Sequence, residues 1–284
     1  MKAGHIASQV REKTRSYVEV EIPVIEICSF VEDNIRKLGG APAFPCNVDI
    51  DGVAAHYTSP LGDPKVIPDG SLVKIDIGVH IDGYIADTAV TICLDPQYIP
   101  MAEAAVAGLE AAIKIARAGV VASDIGAAIE KAIKSRGFTP IRNLTGHRLG
   151  RYIVHAGKTI PNISGTNGHR LKEGEVYAIE PFTVPRDASA YVIDGAPSNI
   201  YRFLKKRRVR SDAAKKMLKL IQTRHRTLPF ASRWIPGDTE AFEELIEGKC
   251  VHSYPQLVEK SGASVAQAEH TVIIESDGCT VTTA

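Results

Sequence analysis

The sequence predicts an α+β fold with two layers, helices packed on strands, and a helical segment inserted into it. Two kinds of pattern predict the layers: β-branched runs bounded by turn residues, as in residues 72 to 94, and amphipathic periodicity, as in the helix that begins at Pro100. A third observation is the composition of residues 198 to 249, which are basic and helical in pattern. We therefore expect one mixed domain that carries an insertion.

The first elements are two helices followed by short strands. Helical patterns cover residues 2 to 15 and 23 to 38, and Pro23 suits the first helical position of the second one. Residues 44 to 55 are typical of short strands around a turn at Asp51. The chain then enters the strand hairpin of residues 72 to 94.

Two further amphipathic helices follow the hairpin. The second opens at Ser123, a good N-cap residue, and ends at Gly137. Both helices are expected to lie on a sheet. The face that we expect the first to bury consists of Ala102, Ala105, Val106, Leu109, Ala112, Ile113 and Ala116.

Strand-like composition returns in the last third of the chain, over residues 176 to 184, 188 to 193 and 266 to 274. Between these strands, helical patterns cover residues 210 to 223 and 239 to 247. The expected main domain consists of residues 1–195 and 250–284, and the expected inserted basic helical subdomain of residues 196–249.

The composition excludes several classes of protein. With 284 residues, of which 44% are hydrophobic and 24% charged, the chain can bury a large core. Charged residues interrupt its longest apolar tract, residues 101 to 121, and leave no apolar signal-peptide core at the N-terminus. The five cysteines form no CxxC pair, which argues against a disulfide framework and a thiolate zinc site. We expect a cytoplasmic protein without a membrane segment.

Asp76 and Asp87 belong to the predicted hairpin, and their spacing carries geometric information. With Ile81-Asp82 as a two-residue loop the two acids lie directly opposite each other, and with Asp82-Gly83 as the loop they are diagonal neighbours. Either register puts both carboxylates on one face, about 4.5 to 8 Å apart, whereas a three-residue loop would separate them. Taken alone, the pair is more typical of a partly exposed hairpin with surface acids.

Five more residues strengthen the interpretation as a metal site. His147 lies in a loop-like segment after a helix, and His56 and His155 offer further imidazoles. Glu180 and Glu269 are acids within apolar, strand-like sequence, where an unpaired carboxylate is expensive to bury. Each acid by itself is more often part of a salt bridge. Their occurrence together with the two aspartates indicates a divalent metal site.

The ligand types limit the metal and its chemistry. Four carboxylates and one imidazole, without a thiolate, suit Mn²⁺ or Fe²⁺, with Co²⁺ and Zn²⁺ as alternatives. Four negative charges are enough to neutralise two divalent ions. Two ions about 3.5 to 4 Å apart lower the pKa of a bridging water and polarise a carbonyl, which is hydrolytic chemistry.

The ordered motifs resemble those of a known family. The segments IDIGVHIDGYIADTAV, TGHRLGRYIVHAGKTIP, AIEPF and AQAEHTVII are similar to the ligand signature of methionine aminopeptidases, and the basic helical insertion resembles their type II branch. The resemblance covers essentially the whole chain. It implies a pseudo-symmetric pita-bread fold with two divalent ions, and removal of the initiator methionine from nascent polypeptides whose second residue is small.

The resemblance also implies a role for each site residue. The metal ligands would be Asp76, Asp87, His147, Glu180 and Glu269. Asp87 and Glu269 would bridge the two ions, and a water between the ions would attack the scissile carbonyl. His56 would contact the scissile amide, His155 would support the tetrahedral oxyanion, and Glu180 would also transfer a proton to the leaving amine. The pocket around the methionine side chain would be formed by Phe44, His56, Val154 and Tyr254.

The sequence departs from the family pattern at Ala268, where many type II enzymes have Phe before the last ligand. Strand alternation points this position away from the metals, so we expect repacking without loss of activity. The long lysine-rich N-terminal extension of eukaryotic type II enzymes is absent, so the chain resembles the compact, archaeal-like form. The family precedent favours a monomer.

Residues 201 to 226 concentrate positive charge. They hold eleven of the Lys and Arg residues and one acid, which leaves 23 basic and 32 acidic residues elsewhere. The segment is a candidate docking surface for ribosomal RNA. An ordinary solvated helical face is the favoured interpretation, because no aromatic side chains interleave the charges.

Two other functions stay open at the level of sequence. An Xaa-Pro peptidase of the prolidase type shares the five ligands, but usually has an additional N-terminal domain for which this chain has no room. A non-catalytic relative that binds nucleic acid or protein is of another class. Loss of ligands is its usual mark, and all five are present here.

Overall fold

The computed structural model of the chain describes residues 1–165 and 168–284. Its helices are α1 (Lys2–Arg15), α2 (Val24–Lys37), α3 (Ile99–Ile115), α4 (Ala122–Lys134), α5 (Asp212–Arg224) and α6 (Thr239–Glu247). Its strands are β1 (Ala41–Pro42), β2 (Asn47–Ile50), β3 (Val53–Ala55), β4 (Leu72–Ile81), β5 (Tyr84–Cys93), β6 (Phe138–Pro140), β7 (Thr145–Leu149), β8 (Thr159–Pro161), β9 (Val176–Ile179), β10 (Phe182–Pro185), β11 (Val192–Phe203), β12 (Phe230–Ala231), β13 (Val251–Glu259), β14 (Ala266–Gln267), β15 (His270–Ile274) and β16 (Cys279–Val281).

The strands form antiparallel sheets that surround the centre of the molecule. Strand β4 pairs with β1, β2 and β5, and a five-stranded sheet runs in the order β16-β15-β9-β7-β8. A four-stranded sheet runs β12-β11-β13-β3, and a three-stranded one β14-β10-β6. The described helices lie outside these sheets in three pairs, α1 with α2, α3 with α4 and α5 with α6. Each pair shares an apolar core with strands.

Three apolar clusters account for the layering. Helices α1 and α2 pack on the sheet of β2, β4 and β5. Helices α3 and α4 pack on the sheet that contains β9 and β15, and their apolar residues share one core with it. Helices α5 and α6 form a separate core with β12 and β13. The predicted arrangement of helices on strands is confirmed. Within the described part of the chain, no helix is long and apolar enough to span a bilayer.

The structure corrects two details of the predicted helices. The buried face of α3 is rotated from the predicted one, so that Ala104 is buried while Val106 is 46% exposed. The rotation brings Gly108 against α4, where an added Cβ would lie only 3.0 Å from an Ile133 methyl. A small residue at this position is therefore needed for the close packing of α3 on α4. Ser123 is not the N-cap of α4, because that helix already begins at Ala122.

The segment predicted as a helical insertion begins with strand structure. Strand β11 continues to Phe203, ten residues beyond the predicted end at Ile193, and pairs with β13 along its length. Residues 198 to 203 are therefore not helical, because long antiparallel pairing overrides their local pattern. The predicted helices do form as α5 and α6. The boundaries of the proposed subdomain stay a prediction.

Candidate metal centre

The β4–β5 hairpin carries the first two predicted ligands. Asp82 and Gly83 form its loop and both have positive φ, 51° and 86°, as a type I′ turn requires. Asp87 is therefore paired with Gly78, and Asp76 is its diagonal neighbour. This is the second of the two registers considered above, and it places both carboxylates on the face that turns toward the centre.

The next two predicted ligands are positioned by the neighbouring strands β7 and β9. His147 is in the middle of β7, not in a loop as the sequence indicated, because β7 pairs with both β8 and β9. Gly146 permits the close approach of β9, since an added Cβ would lie 2.4 Å from the carbonyl oxygen of Ala178. Glu180 directly follows β9, so this strand pair brings His147 and Glu180 together.

The five predicted ligands converge at one point. Donor atoms of Asp87, His147 and Glu269 all lie within 4.8 Å of one another. The Nε2 atom of His147 is 3.4 Å from Glu180 Oε1 and 3.7 Å from Asp87 Oδ2. Asp76 lines the same cavity. Residues that are up to 193 positions apart in the chain are thereby gathered around one small space.

The electrostatics of this space are unfavourable without a cation. Burial, followed by repulsion from neighbouring carboxylates, raises the pKa values of Asp76, Asp87, Glu180 and Glu269 well above their ordinary range. Burial lowers the pKa of His147, which favours the neutral imidazole that a metal needs. Asp76 Oδ1 and Asp87 Oδ1 are buried without a hydrogen-bond partner among the described residues. This donor set fits divalent cations.

The backbone of the acidic ligands is held by residues that the sequence did not reveal. The Asp87 amide donates to Thr271 Oγ1 at 2.7 Å, and Thr88 Oγ1 donates to the Glu269 carbonyl oxygen at 2.8 Å. The buried Arg11 of α1 donates in turn to Thr88 Oγ1 at 2.7 Å. No sequence signal separates these residues from ordinary threonines or from the surface arginines of a helix.

The predicted substrate residues line the same cavity as the ligands. His56 and Tyr254 meet edge to face with ring centroids 5.6 Å apart, and the His155 ring lies 4.3 Å from that of His147. Phe44 and Val154 are buried side chains of the cavity wall. Burial, together with the nearby His155, lowers the pKa of His56 to about 4. Four wall residues were not predicted, namely Asn47, Ala55, Ile200 and Pro229.

The Ala268 side chain lies on the side of the chain that faces away from the predicted metal ligands. It is buried in the apolar core beneath α3, together with Ala266, whereas Gln267 Nε2 donates to Glu269 Oε2 at 3.5 Å. The predicted alternation is therefore confirmed, with Ala268 on the face away from the carboxylates.

Comparison with known proteins identifies the relatives of the chain. A model of metallopeptidase family M24 matches residues 1–211. The methionine aminopeptidase of Methanothermobacter thermautotrophicus is 47% identical over 292 residues, which cover all of this chain and 97% of the relative. The methionine aminopeptidase of Pyrococcus horikoshii is 43% identical, with coverage of 100% and 98%.

A solved structure supports the same fold. The crystal structure of a methionine aminopeptidase from Thermotoga maritima superposes with a TM-score of 0.72 at 22% identity, over 99% of this chain and 94% of that one. The pita-bread fold expected from the motifs is thereby confirmed, and so is the expected activity, since the full-length relatives share it. The chain belongs to metallopeptidase family M24, as a metal-dependent enzyme that removes the N-terminal methionine of its substrates.

Proposed function

We propose that Asp76, Asp87, His147, Glu180 and Glu269 hold two divalent ions at the centre of the reaction. The observation that carries the proposal is the convergence of four carboxylates, two of which have an unpartnered buried oxygen, around one neutral imidazole. One divalent ion would leave about half of the carboxylate charge uncompensated in a low-dielectric site, whereas two would balance it. Mn²⁺, Fe²⁺, Co²⁺ and Zn²⁺ all suit this oxygen-rich set.

Ions held in this way activate water and polarise the scissile carbonyl. We assign the proton transfers to residues of the chain. Glu180, whose Oε1 lies 3.4 Å from His147 Nε2, would receive the proton of the attacking water and deliver it to the leaving amine. His155, which lines the cavity next to His147, would donate to the developing oxyanion. His56, held neutral by its low pKa, contacts the scissile amide.

We propose that the methionine side chain lies against Phe44, Val154 and Tyr254. Phe44 and Val154 are buried and apolar, and Tyr254 packs on His56. An apolar, partly aromatic wall suits a thioether, because sulfur is polarisable and makes favourable contacts with rings. We propose that the scissile bond lies near His56, which packs on Tyr254 and lines the same cavity as the predicted ligands.

The finer assignments rest on the resemblance in sequence. We propose the type II branch, supported by the basic helix α5 and the helix α6 between the fourth and fifth predicted ligands, and a preference for a small second residue. The substrates are N-termini of polypeptides, and we propose nascent chains as their source. The monomeric state and the cytoplasmic location stay predictions.

A peptide panel tests the proposal. Enzyme loaded in turn with Mn²⁺, Fe²⁺, Co²⁺ or Zn²⁺ is incubated with Met-Ala-Ser, Met-Lys-Ser and Xaa-Pro peptides. We expect release of methionine from Met-Ala-Ser only. Cleavage confined to the Xaa-Pro set would indicate a prolidase-type specificity, and cleavage of none would favour a binding function.

The ligand assignment has its own test. Glu269→Ala removes one carboxylate and should abolish metal-dependent turnover while leaving the fold intact, because the side chain makes one long hydrogen bond to the rest of the described protein. Isothermal titration should show weaker metal binding by the variant. Unchanged turnover and metal affinity would refute the site.

A further inference from the structure

A buried ion pair joins helix α2 to the segment that follows α5. Glu32 of α2 accepts a hydrogen bond from Arg233 Nη2, and the two side chains are 4% and 5% exposed. Trp234 Nε1 donates to the other Glu32 oxygen at 2.7 Å. Pairs with so little solvent contribute less to stability than their charges suggest, because desolvation offsets most of the attraction. Their geometry is nevertheless tightly defined.

Arg233 extends this pair to backbone segments that neighbour the lining residues of the substrate cavity. Its Nη1 donates to Thr58 Oγ1 and to the Ser59 carbonyl oxygen, both at 2.8 Å. Thr58 Oγ1 in turn donates to the Cys46 carbonyl oxygen at 2.7 Å. The network therefore ends on two backbone segments. One contains Cys46, two positions after Phe44, and the other contains Thr58, two positions after His56.

His56 needs such support because of its backbone. Its φ of 74° lies in the left-handed region, which is unfavourable for a residue with a Cβ and persists only where the surroundings enforce it. On its C-terminal side, the Tyr57 amide donates to the buried Asp49 at 2.7 Å, and Thr58 is held by Arg233. Both positions that follow the strained residue are thereby fixed.

We propose that Arg233 is a positioning residue for His56. It fixes Thr58 and Ser59 through hydrogen bonds that only a planar guanidinium can make while it also pairs with Glu32. The left-handed backbone of His56, and with it the direction of the imidazole toward the scissile amide, is maintained in this way. The inference rests on the proposed role of His56 and adds to it a contribution from the segment between α5 and α6.

Conservative variants test the proposal. Arg233→Lys keeps the positive charge beside Glu32 but removes the fork that reaches Thr58 and Ser59. We expect kcat for Met-Ala-Ser to fall about tenfold while KM changes less than about twofold, which corresponds to the loss of one transition-state hydrogen bond. Arg36→Lys is the matched control, because Arg36 also lies near Glu32, at 3.7 Å, but is 48% exposed and on the helix surface. It should leave kcat unchanged.

A double-mutant cycle separates positioning from general stability. In a His56→Ala background, Arg233→Lys should cause no further loss of kcat, because its effect is exerted through the missing imidazole. Losses that multiply in the double variant, or no loss in Arg233→Lys alone, would overturn the inference. If His56→Ala itself had no effect, the proposed role of His56 would be wrong instead. Should Arg233→Lys fail to fold, Thr58→Val removes the same hydrogen bond, and the same cycle applies.

Discussion

At the scale of single residues, the four carboxylates of the candidate metal centre are distinguished by their raised pKa values. Each is raised in pKa by burial first and by its neighbours second. A carboxylic acid whose pKa is higher in the folded than in the unfolded state binds more protons when folded. Its contribution to stability therefore declines as the pH rises above about 4.3, the unfolded value for Glu, and through the folded pKa. Without metal, the site is a source of instability at neutral pH.

The variant Glu269→Gln tests whether the buried carboxylates lower the stability of the metal-free protein as the pH rises. In protein treated with a chelator, the free energy of unfolding of the variant should exceed that of wild type by about 1 to 3 kcal/mol at pH 7.5, and the difference should vanish near pH 4. The neutral amide removes one of four repelling charges at high pH and none at low pH. Urea unfolding at several pH values measures the difference.

With saturating metal, wild type should have the higher free energy of unfolding, because Glu269→Gln lacks one proposed ligand and gains less stability from metal binding. A difference that is independent of pH in the chelated protein would contradict the interpretation. His147 and His56 have lowered pKa values and contribute the opposite slope near pH 6.5, but they are common to both proteins and cancel in the comparison.

Sequence reasoning worked at this scale where residue type and spacing were both unusual. Asp76 and Asp87 were placed on one face by the parity of a two-residue hairpin, and the structure has that register. Arg11 and Arg233 were missed, because their importance depends on partners 77 and 201 positions away in sequence. A single sequence gives no sign of such long-range contacts.

At the scale of elements, the strand pair β7–β9 sets the distance between His147 and Glu180. The two strands approach closely at Gly146, where a side chain would meet the backbone of β9. The sequence indicated a loop here, since a segment of five residues with Gly, His and Arg has weak strand propensity. Residues 145 to 149 form a strand because β7 pairs with β8 on one edge and with β9 on the other. The local sequence pattern does not reveal that pairing.

Gly146→Ala tests the close approach. The added methyl would lie 2.4 Å from a carbonyl oxygen and 3.2 Å from the Cα of Ile179, and neither backbone atom can move away easily. We expect a loss of stability of about 1 to 3 kcal/mol. Metal affinity should also fall, because β7 must shift relative to β9. Thermal unfolding and isothermal titration measure the two effects.

Gly150→Ala is the matched control for this variant. Its added Cβ would make ordinary contacts, the nearest at 3.4 Å to Ala156, just beyond the end of the same strand. The control should keep both stability and metal affinity close to those of wild type. Equal effects of the two substitutions would show that β7 responds to lost glycine flexibility rather than to contact with β9.

At the scale of the whole molecule, positive charge and the catalytic cavity belong to different parts of the chain. An irregular segment after β11 exposes four basic side chains, namely Lys205, Lys206, Arg207 and Arg208. At its end, the backbone amide of Arg210 donates to the Glu244 carboxylate. None of these four side chains lines the cavity of the metal centre. We therefore expect this charge to have no part in the chemical step.

The quadruple variant with alanine at positions 205 to 208 separates the two properties. Its kcat/KM for Met-Ala-Ser should stay within about twofold of wild type, because exposed substitutions away from a site change little. If the segment docks on ribosomal RNA, wild type co-sediments with ribosomes at low salt and is released as salt rises, and removal of four charges weakens this binding at least about tenfold at 0.1 M salt. Co-sedimentation that is equal for both proteins would identify residues 205 to 208 as an ordinary solvated segment, which is the interpretation that their lack of interleaved aromatic residues favours.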